Sequence, residues 1–276
     1  MSENARLGVK ADVVILMDVT GSMDPCIEGM KSRVKELTDA MEGEVNVQVD
    51  WRAKIIGFRD LEADPEEDWF QGKDNPFVKT AQEIAAQLTP LEARGGGMGP
   101  AEIPESALDA LEMAMGMDDW INQGEGHRVI VLLTDAPTKP KTVTGKDAMD
   151  IAQMASENHF RILIFGPDCK EYRILEKVPK ASFVDVTKGG TKKVHRGLEN
   201  LDWTFLFETL AKTVSEPVSA LEESEPSSIP ESTDEEEKEE VSEEETGSTD
   251  DEDSPISMGE EAGPVVDDGK TKPMSE

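Results

Sequence analysis

The residues of this chain best suited to chemistry are Asp18, Thr20 and Ser22, which alternate directly after an apolar stretch. Their spacing places one carboxylate and two hydroxyls in a single short loop. Hard divalent cations such as Mg²⁺ prefer oxygen ligands of this kind. The same residue types also suit a simpler role, because Asp and Ser commonly cap the helix that follows such a turn. Taken alone, the segment supports a cation site and a capped turn equally well.

A second segment ends in the same way as the first. Residues 13–17 and residues 129–133 are short, continuous apolar runs, which is typical of strands buried on both faces. The second run is followed by Thr134 and Asp135. Parallel strands end at one edge of a sheet, where open α/β sheets bind their ligands. Asp18 and Asp135 would repel each other there without a cation, so the pair favours a cation site.

The elements that must position these residues alternate along the chain. Strands are predicted over residues 12–18, 45–58, 129–133, 160–165 and 182–186, with a short edge strand near 69–70, and helices over 25–41, 78–88, 103–117, 146–158, 169–177 and 200–214. This alternation indicates an α/β fold with three layers, Rossmann-like, in which helices cover both faces of a mostly parallel central sheet. A glycine-rich loop at residues 95–99 lies between the two site strands in sequence and can reach the same edge.

The charge of the chain is concentrated in its last part. Of the net charge of −32 over 276 residues, residues 216–276 carry −20, from 23 acidic residues and three lysines, which leaves −12 for residues 1–215. The tail is poor in apolar residues, so we expect it to be disordered. This balance argues against nucleic acid or anionic membrane as a partner, since phosphate binding depends on Lys and Arg. The tail would attract a basic protein or serve only as a solvated segment.

The remaining sequence signals favour a cytoplasmic protein. The amino terminus lacks the charged, apolar and small-residue pattern of a signal peptide, and no apolar run approaches the ~20 residues of a membrane span. Cys26 and Cys169 show no metal-type spacing and are expected to be ordinary reduced thiols.

These motifs together resemble a von Willebrand factor type A (vWA) domain with a metal-ion-dependent adhesion site. Asp18, Thr20 and Ser22 match the family's Asp-x-Ser/Thr-x-Ser motif, and Asp135 matches the Asp that closes a later strand. The resemblance spans residues 11–214. Residues 1–10 would then be an amino-terminal extension and residues 215–276 the disordered acidic tail.

Two further motifs are similar to the intracellular branch of that family. These are Phe-Arg-Asp at residues 58–60 and Thr-Asp-Ala-Pro at residues 134–137. The branch also has Gly-Gly-Asp-x-Pro-Glu in its middle loop, whereas this chain has Met98 after the glycines. If residues 98–101 are an insertion, Glu102 aligns with the ligating Asp and becomes the third ligand. The alternatives are a missing ligand with weaker metal binding, and Glu102 as a solvated surface acid.

The resemblance implies a function as well as a fold. It implies a non-enzymatic protein-interaction module that binds an acidic residue of its partner through a cation, Mg²⁺ or else Mn²⁺ or Ca²⁺. The expected ligands are Asp18, Thr20, Ser22, Glu102 and Asp135. An AAA+ ATPase, a kinase or a stress-response protein is the kind of partner that the intracellular branch implies, and Asp60 is expected to have a structural role.

Two alternatives to this function remain open. One is a metal-dependent phosphohydrolase of the haloacid dehalogenase type, which is disfavoured because Thr20 stands where that chemistry needs a second acid. The other is a vWA scaffold that binds no metal.

Overall fold

The computed structural model describes residues 8–42, 49–95, 104–187 and 198–216. The strands are β1 (Val9–Asp18), β2 (Val49–Phe58), β3 (Phe70–Gln71), β4 (His127–Leu133), β5 (Phe160–Gly166) and β6 (Ser182–Asp185). The helices are α1 (Asp24–Ser32), α2 (Val34–Glu42), α3 (Ala81–Leu88), α4 (Ala107–Met115), α5 (Ala148–Glu157), α6 (Lys170–Leu175) and α7 (Trp203–Ser215). Of these helices, none is long and apolar enough to cross a membrane.

The strands form one sheet in the order β3-β2-β1-β4-β5-β6, in which only β3 is antiparallel. β1 lies between β2 and β4, so it is paired along both edges and covered on both faces. Asp18 is level with Phe58 of β2, and Met17 is level with Leu133 of β4. The α/β architecture predicted from the sequence is confirmed, and three strand ends lie side by side at the carboxyl edge.

Two apolar cores, one on each face of the sheet, account for the continuous apolar runs. Val13, Ile15 and Met17 of β1 pack into the core that α1, α2, α3 and α7 cover, whereas Val14 and Leu16 pack into the core that α4, α5 and α6 cover. Each fully buried aliphatic side chain contributes about 1.5–3 kcal/mol through removal from water. The sheet is therefore a rigid support for the loops at its edge.

Four helix predictions differ from the structure. The helix predicted over 103–117 begins only at Ala107, because Glu105 forms a bridge with Thr138, and the helix predicted over 200–214 begins at Trp203, where Asp202 caps it. The helix predicted over residues 25–41 is two helices, because the chain leaves the helical conformation at Arg33 (φ −120°, ψ 15°). The helix predicted over 78–88 begins at Ala81, because Val78 forms a bridge with Ala53 and Thr80 caps the helix. The predicted segments 1–7, 45–48 and 217–276 lie outside the described residues.

Candidate metal centre

Asp18, the last residue of β1, is fully buried and receives three hydrogen bonds from uncharged donors. Its Oδ1 accepts from the backbone nitrogen of Thr20 at 2.8 Å and from Thr20 Oγ1 at 2.7 Å. Its Oδ2 accepts from Thr134 Oγ1 at 2.8 Å, from the loop that follows β4. The carboxylate therefore ties the ends of two neighbouring strands together.

Ser22 and Asp135 form the accessible side of the same cluster. Ser22 is exposed and Asp135 is half-buried. Ser22 Oγ donates to Asp135 Oδ1 at 3.0 Å, across 113 positions of sequence. The structure thus brings together four of the five residues predicted for the site. The fifth, Glu102, lies outside the described residues.

The electrostatics of Asp18 reflect its burial. Its pKa is raised from 3.8 to about 6, chiefly by removal from water and also by the charge of Asp135, while the Thr20 and Thr134 hydrogen bonds lower it. Burial favours the neutral form of a carboxyl group, and a nearby negative charge acts in the same direction. A cation at this edge would lower the pKa of Asp18 and so oppose both effects.

Glu105 is the residue that the sequence analysis did not place in the site. It lies two positions before α4 and is 6% exposed, and its Oε2 has no hydrogen-bond partner in the described part of the chain. Burial raises its pKa to about 9, and the charges of Asp18, Asp60 and Asp135 also contribute. The only sequence signal was its place at the end of the Glu-x-Pro-Glu segment, since burial cannot be seen in a motif.

The backbone holds Glu105 against the loop that follows β4. Glu105 forms a parallel bridge with Thr138. Its nitrogen donates to Pro137 O at 2.8 Å, and Lys139 N donates to Glu105 O at 2.9 Å. Glu105 and Asp135 are thereby attached to one rigid unit.

Arg59 and Asp60 fix the neighbouring loops. The buried Arg59 guanidinium donates to Val19 O at 2.8 Å and to Glu92 O at 2.9 Å, and it also donates to Arg94 O. It therefore joins the loop after β1 to the segment that leads into the glycine-rich loop. Asp60 pairs with Lys139, as its expected structural role requires.

The donor set fits a hard cation. Thr20 and Ser22 donate their hydroxyl protons to carboxylates, which leaves oxygen lone pairs for a metal. Across the described residues, no three His, Cys, Asp or Glu side chains form a group that could hold a metal ion, so binding would depend on these hydroxyls. Such a set of oxygens suits Mg²⁺ better than Zn²⁺.

The comparisons with known proteins found solved structures of low sequence identity. No family model matches the chain, and no curated protein matches it. Two similar solved structures are the SpRpn10 VWA domain (12% identity, TM-score 0.47, 69% of this chain and 92% of that chain) and the pilus adhesin SpaC from Lactobacillus rhamnosus GG (13%, 0.48, 75% and 30%). The chain therefore spans less than a third of the adhesin. The three-layer α/β fold predicted from the sequence is confirmed by the strand order and the two helical layers.

Proposed function

We propose that this chain is a non-enzymatic protein-interaction module that binds its partner through a divalent cation at the carboxyl edge of the sheet. The observation that carries the proposal is the pairing of Asp18. It is buried at the end of the central strand, and the hydrogen bonds it accepts come from a backbone N–H and two hydroxyls. Mg²⁺ is the favoured cation, with Mn²⁺ or Ca²⁺ as substitutes.

The two sides of the cluster would have different tasks. Asp18 and Thr20 are buried and would fix the position of the cation, whereas Ser22 and Asp135 are accessible and would face the partner. A cation bound by so few carboxylates keeps positive charge and an open position, which an Asp or Glu of the partner can fill. The proposed partner is a cytoplasmic protein of the kinds that the resemblance implies: an AAA+ ATPase, a kinase or a stress-response protein. For the acidic tail, the proposed partner is a basic protein.

Glu102 remains the expected third acidic ligand. Glu105 is buried near Asp18 and Asp135, but across the described residues these acids do not form a three-acid group that could hold a metal. We therefore keep Glu105 out of the proposed ligand set. Glu102→Gln should then weaken Mg²⁺ binding more than Glu105→Gln, as measured by titration of thermal unfolding. The reverse order would assign the ligand to Glu105.

Thermal unfolding in EDTA and in millimolar Mg²⁺ tests the central claim. A ligand at about 100 times its Kd adds about 2.7 kcal/mol, which is about 5–10 °C for a domain of this size. We expect this rise for the unmodified chain and none for Asp18→Asn. Asp50→Asn is the matched control, because Asp50 is an exposed acid at the amino end of β2 and its loss changes the net charge equally.

Two results would contradict the proposal. An unmodified chain that ignores Mg²⁺ would be a metal-free scaffold. Phosphate-ester hydrolysis that is lost in Asp18→Asn would show the phosphohydrolase, which the absence of a second acid at Thr20 disfavours.

A further inference from the structure

Lys139 is a fixed cation placed among the acidic groups of the carboxyl edge. It lies in the loop after β4, and its side chain is 14% exposed. Its Nζ pairs with the buried carboxylate of Asp60 and lies 3.1 Å from Glu62 Oε2. Both acids belong to the loop after β2, so the side chain of Lys139 connects two of the loops that surround the candidate metal centre.

The backbone of Lys139 makes the third connection. Its nitrogen donates to the carbonyl of Glu105 at 2.9 Å. The positive charge of Lys139 lowers the pKa of Glu105, against the larger effect of burial. One residue therefore holds Glu105 by its backbone and Asp60 by its charged side chain.

The edge carries several carboxylates whose charges act on one another. Asp18, Asp60 and Asp135 all act on Glu105. Without a metal, a fixed positive charge nearby reduces their mutual repulsion. With a metal, the same charge repels the incoming cation, because both effects follow from Coulomb's law.

We propose that Lys139 is the built-in counter-ion of this edge: it stabilises the metal-free loops and sets how tightly the edge binds a divalent cation. This inference rests on the proposed function, since it concerns the affinity of that same site. It makes Lys139 a positioning residue rather than a ligand, because an ammonium group cannot coordinate a metal.

Lys139→Gln and Lys139→Arg in the full chain test the proposal. Gln keeps a hydrogen-bond donor for Asp60 but removes the charge, whereas Arg keeps the charge. For Lys139→Gln we expect a lower Tm in EDTA, a larger rise in Tm on addition of Mg²⁺, and half-saturation at about tenfold less Mg²⁺, as loss of one nearby charge predicts. Lys139→Arg should behave as the unmodified chain does.

The outcomes separate this proposal from the proposed function. Suppose first that the unmodified chain responds to Mg²⁺. Three results for Lys139→Gln would then overturn the role of Lys139 alone: an equal loss of Tm with and without Mg²⁺, weaker Mg²⁺ binding, or failure to fold under either condition. If neither protein responds, both proposals are overturned. If only Lys139→Gln responds, the counter-ion role is supported and the unmodified chain is not a metal-binding module.

A second pair of variants avoids any question of folding. Glu62 is 74% exposed and partly neutralises Lys139, whereas Glu67 is an exposed acid in the same loop region. Glu62→Gln leaves more of the Lys139 charge uncompensated, so Mg²⁺ binding should weaken about two- to threefold, and Glu67→Gln should leave it unchanged. Equal effects of the two substitutions would overturn the proposal.

Discussion

The central strand β1 carries two buried aspartates, and their hydrogen-bond donors differ in charge. Asp12, near the start of β1, is bound by Arg52 through Nε at 2.6 Å and Nη2 at 2.8 Å, and it also accepts from Ile121 N at 2.5 Å. Asp18, at the end of the same strand, is bound by two hydroxyls and a backbone N–H. Both are at most 2% exposed.

The difference lies in the neutralising charge. At the amino edge, a fixed guanidinium balances Asp12, and the hydrogen bond between them raises the pKa of Arg52. At the carboxyl edge, Asp18 has only uncharged donors, and burial is the main cause that raises its pKa to about 6. An ion pair with a fixed partner is typical of structure, whereas a buried acid with neutral partners is a candidate site.

The largest effect expected from this comparison is at the amino edge. Asp12→Ala leaves the part-buried Ile121 N without its acceptor, and it removes the carboxylate from Arg52, which is 37% exposed and keeps its bond to Asp119 O. We therefore expect a loss of about 2–3 kcal/mol in the free energy of unfolding. The loss should be the same in EDTA and in Mg²⁺. Urea unfolding under both conditions measures it.

An Asp12→Ala variant that loses its response to Mg²⁺ would contradict the separation of the two edges. The variant to compare with Asp12→Ala is Asp18→Asn. In EDTA it should retain or exceed the stability of the unmodified chain at pH 7, because it removes a buried charge whose hydrogen-bond donors are all uncharged.

The next effect is a pH dependence that the carboxyl edge alone should produce. A carboxyl group whose pKa is higher in the folded state binds its proton more tightly there, so stability falls as pH rises between the unfolded and folded pKa. For Asp18 that window runs from pH 3.8 to about 6, and its width corresponds to about 2–3 kcal/mol. For Glu105 the fall continues towards about pH 9. Unfolding in urea from pH 4 to pH 8, in EDTA, measures the loss.

Mg²⁺ should oppose this loss, because a metal needs the deprotonated carboxylates. The stabilisation by Mg²⁺ should therefore grow from pH 5 to pH 8. Asp18→Asn should flatten the lower part of the metal-free profile. A profile that is unchanged in Asp18→Asn would assign the pH dependence to other groups.

The sequence predicted the parts of the site that depend on local pattern. Asp18, Thr20 and Ser22 are close in sequence, and Asp135 follows an apolar run after Thr134, so the pattern of buried strands was enough to bring them to one edge. The layers of the fold followed from the same periodicity. The structure adds the hydrogen bonds that join these residues, from Ser22 to Asp135 and from Thr134 to Asp18.

The parts that sequence could not predict depend on burial and on long-range pairing. Glu105 has an ordinary surface sequence context, and only the fold shows that its carboxyl group is enclosed. Lys139 and Asp60 are 79 positions apart, and no local pattern links them. The break between α1 and α2 was missed because both halves continue the same apolar spacing, although Arg33 is not helical.

The smallest effect on stability, and the sharpest test of the accessible side, is expected for Ser22→Ala. Ser22 is exposed and makes one hydrogen bond to Asp135, so its loss should change the metal-free free energy of unfolding by less than about 1 kcal/mol. If its hydroxyl is a ligand, Mg²⁺ titration should nevertheless show clearly weaker binding. Ser32→Ala is the control, because Ser32 is also exposed and donates only to a backbone carbonyl. Equal Mg²⁺ binding in the two variants would remove Ser22 from the ligand set and leave Asp135 as the accessible contact with the cation.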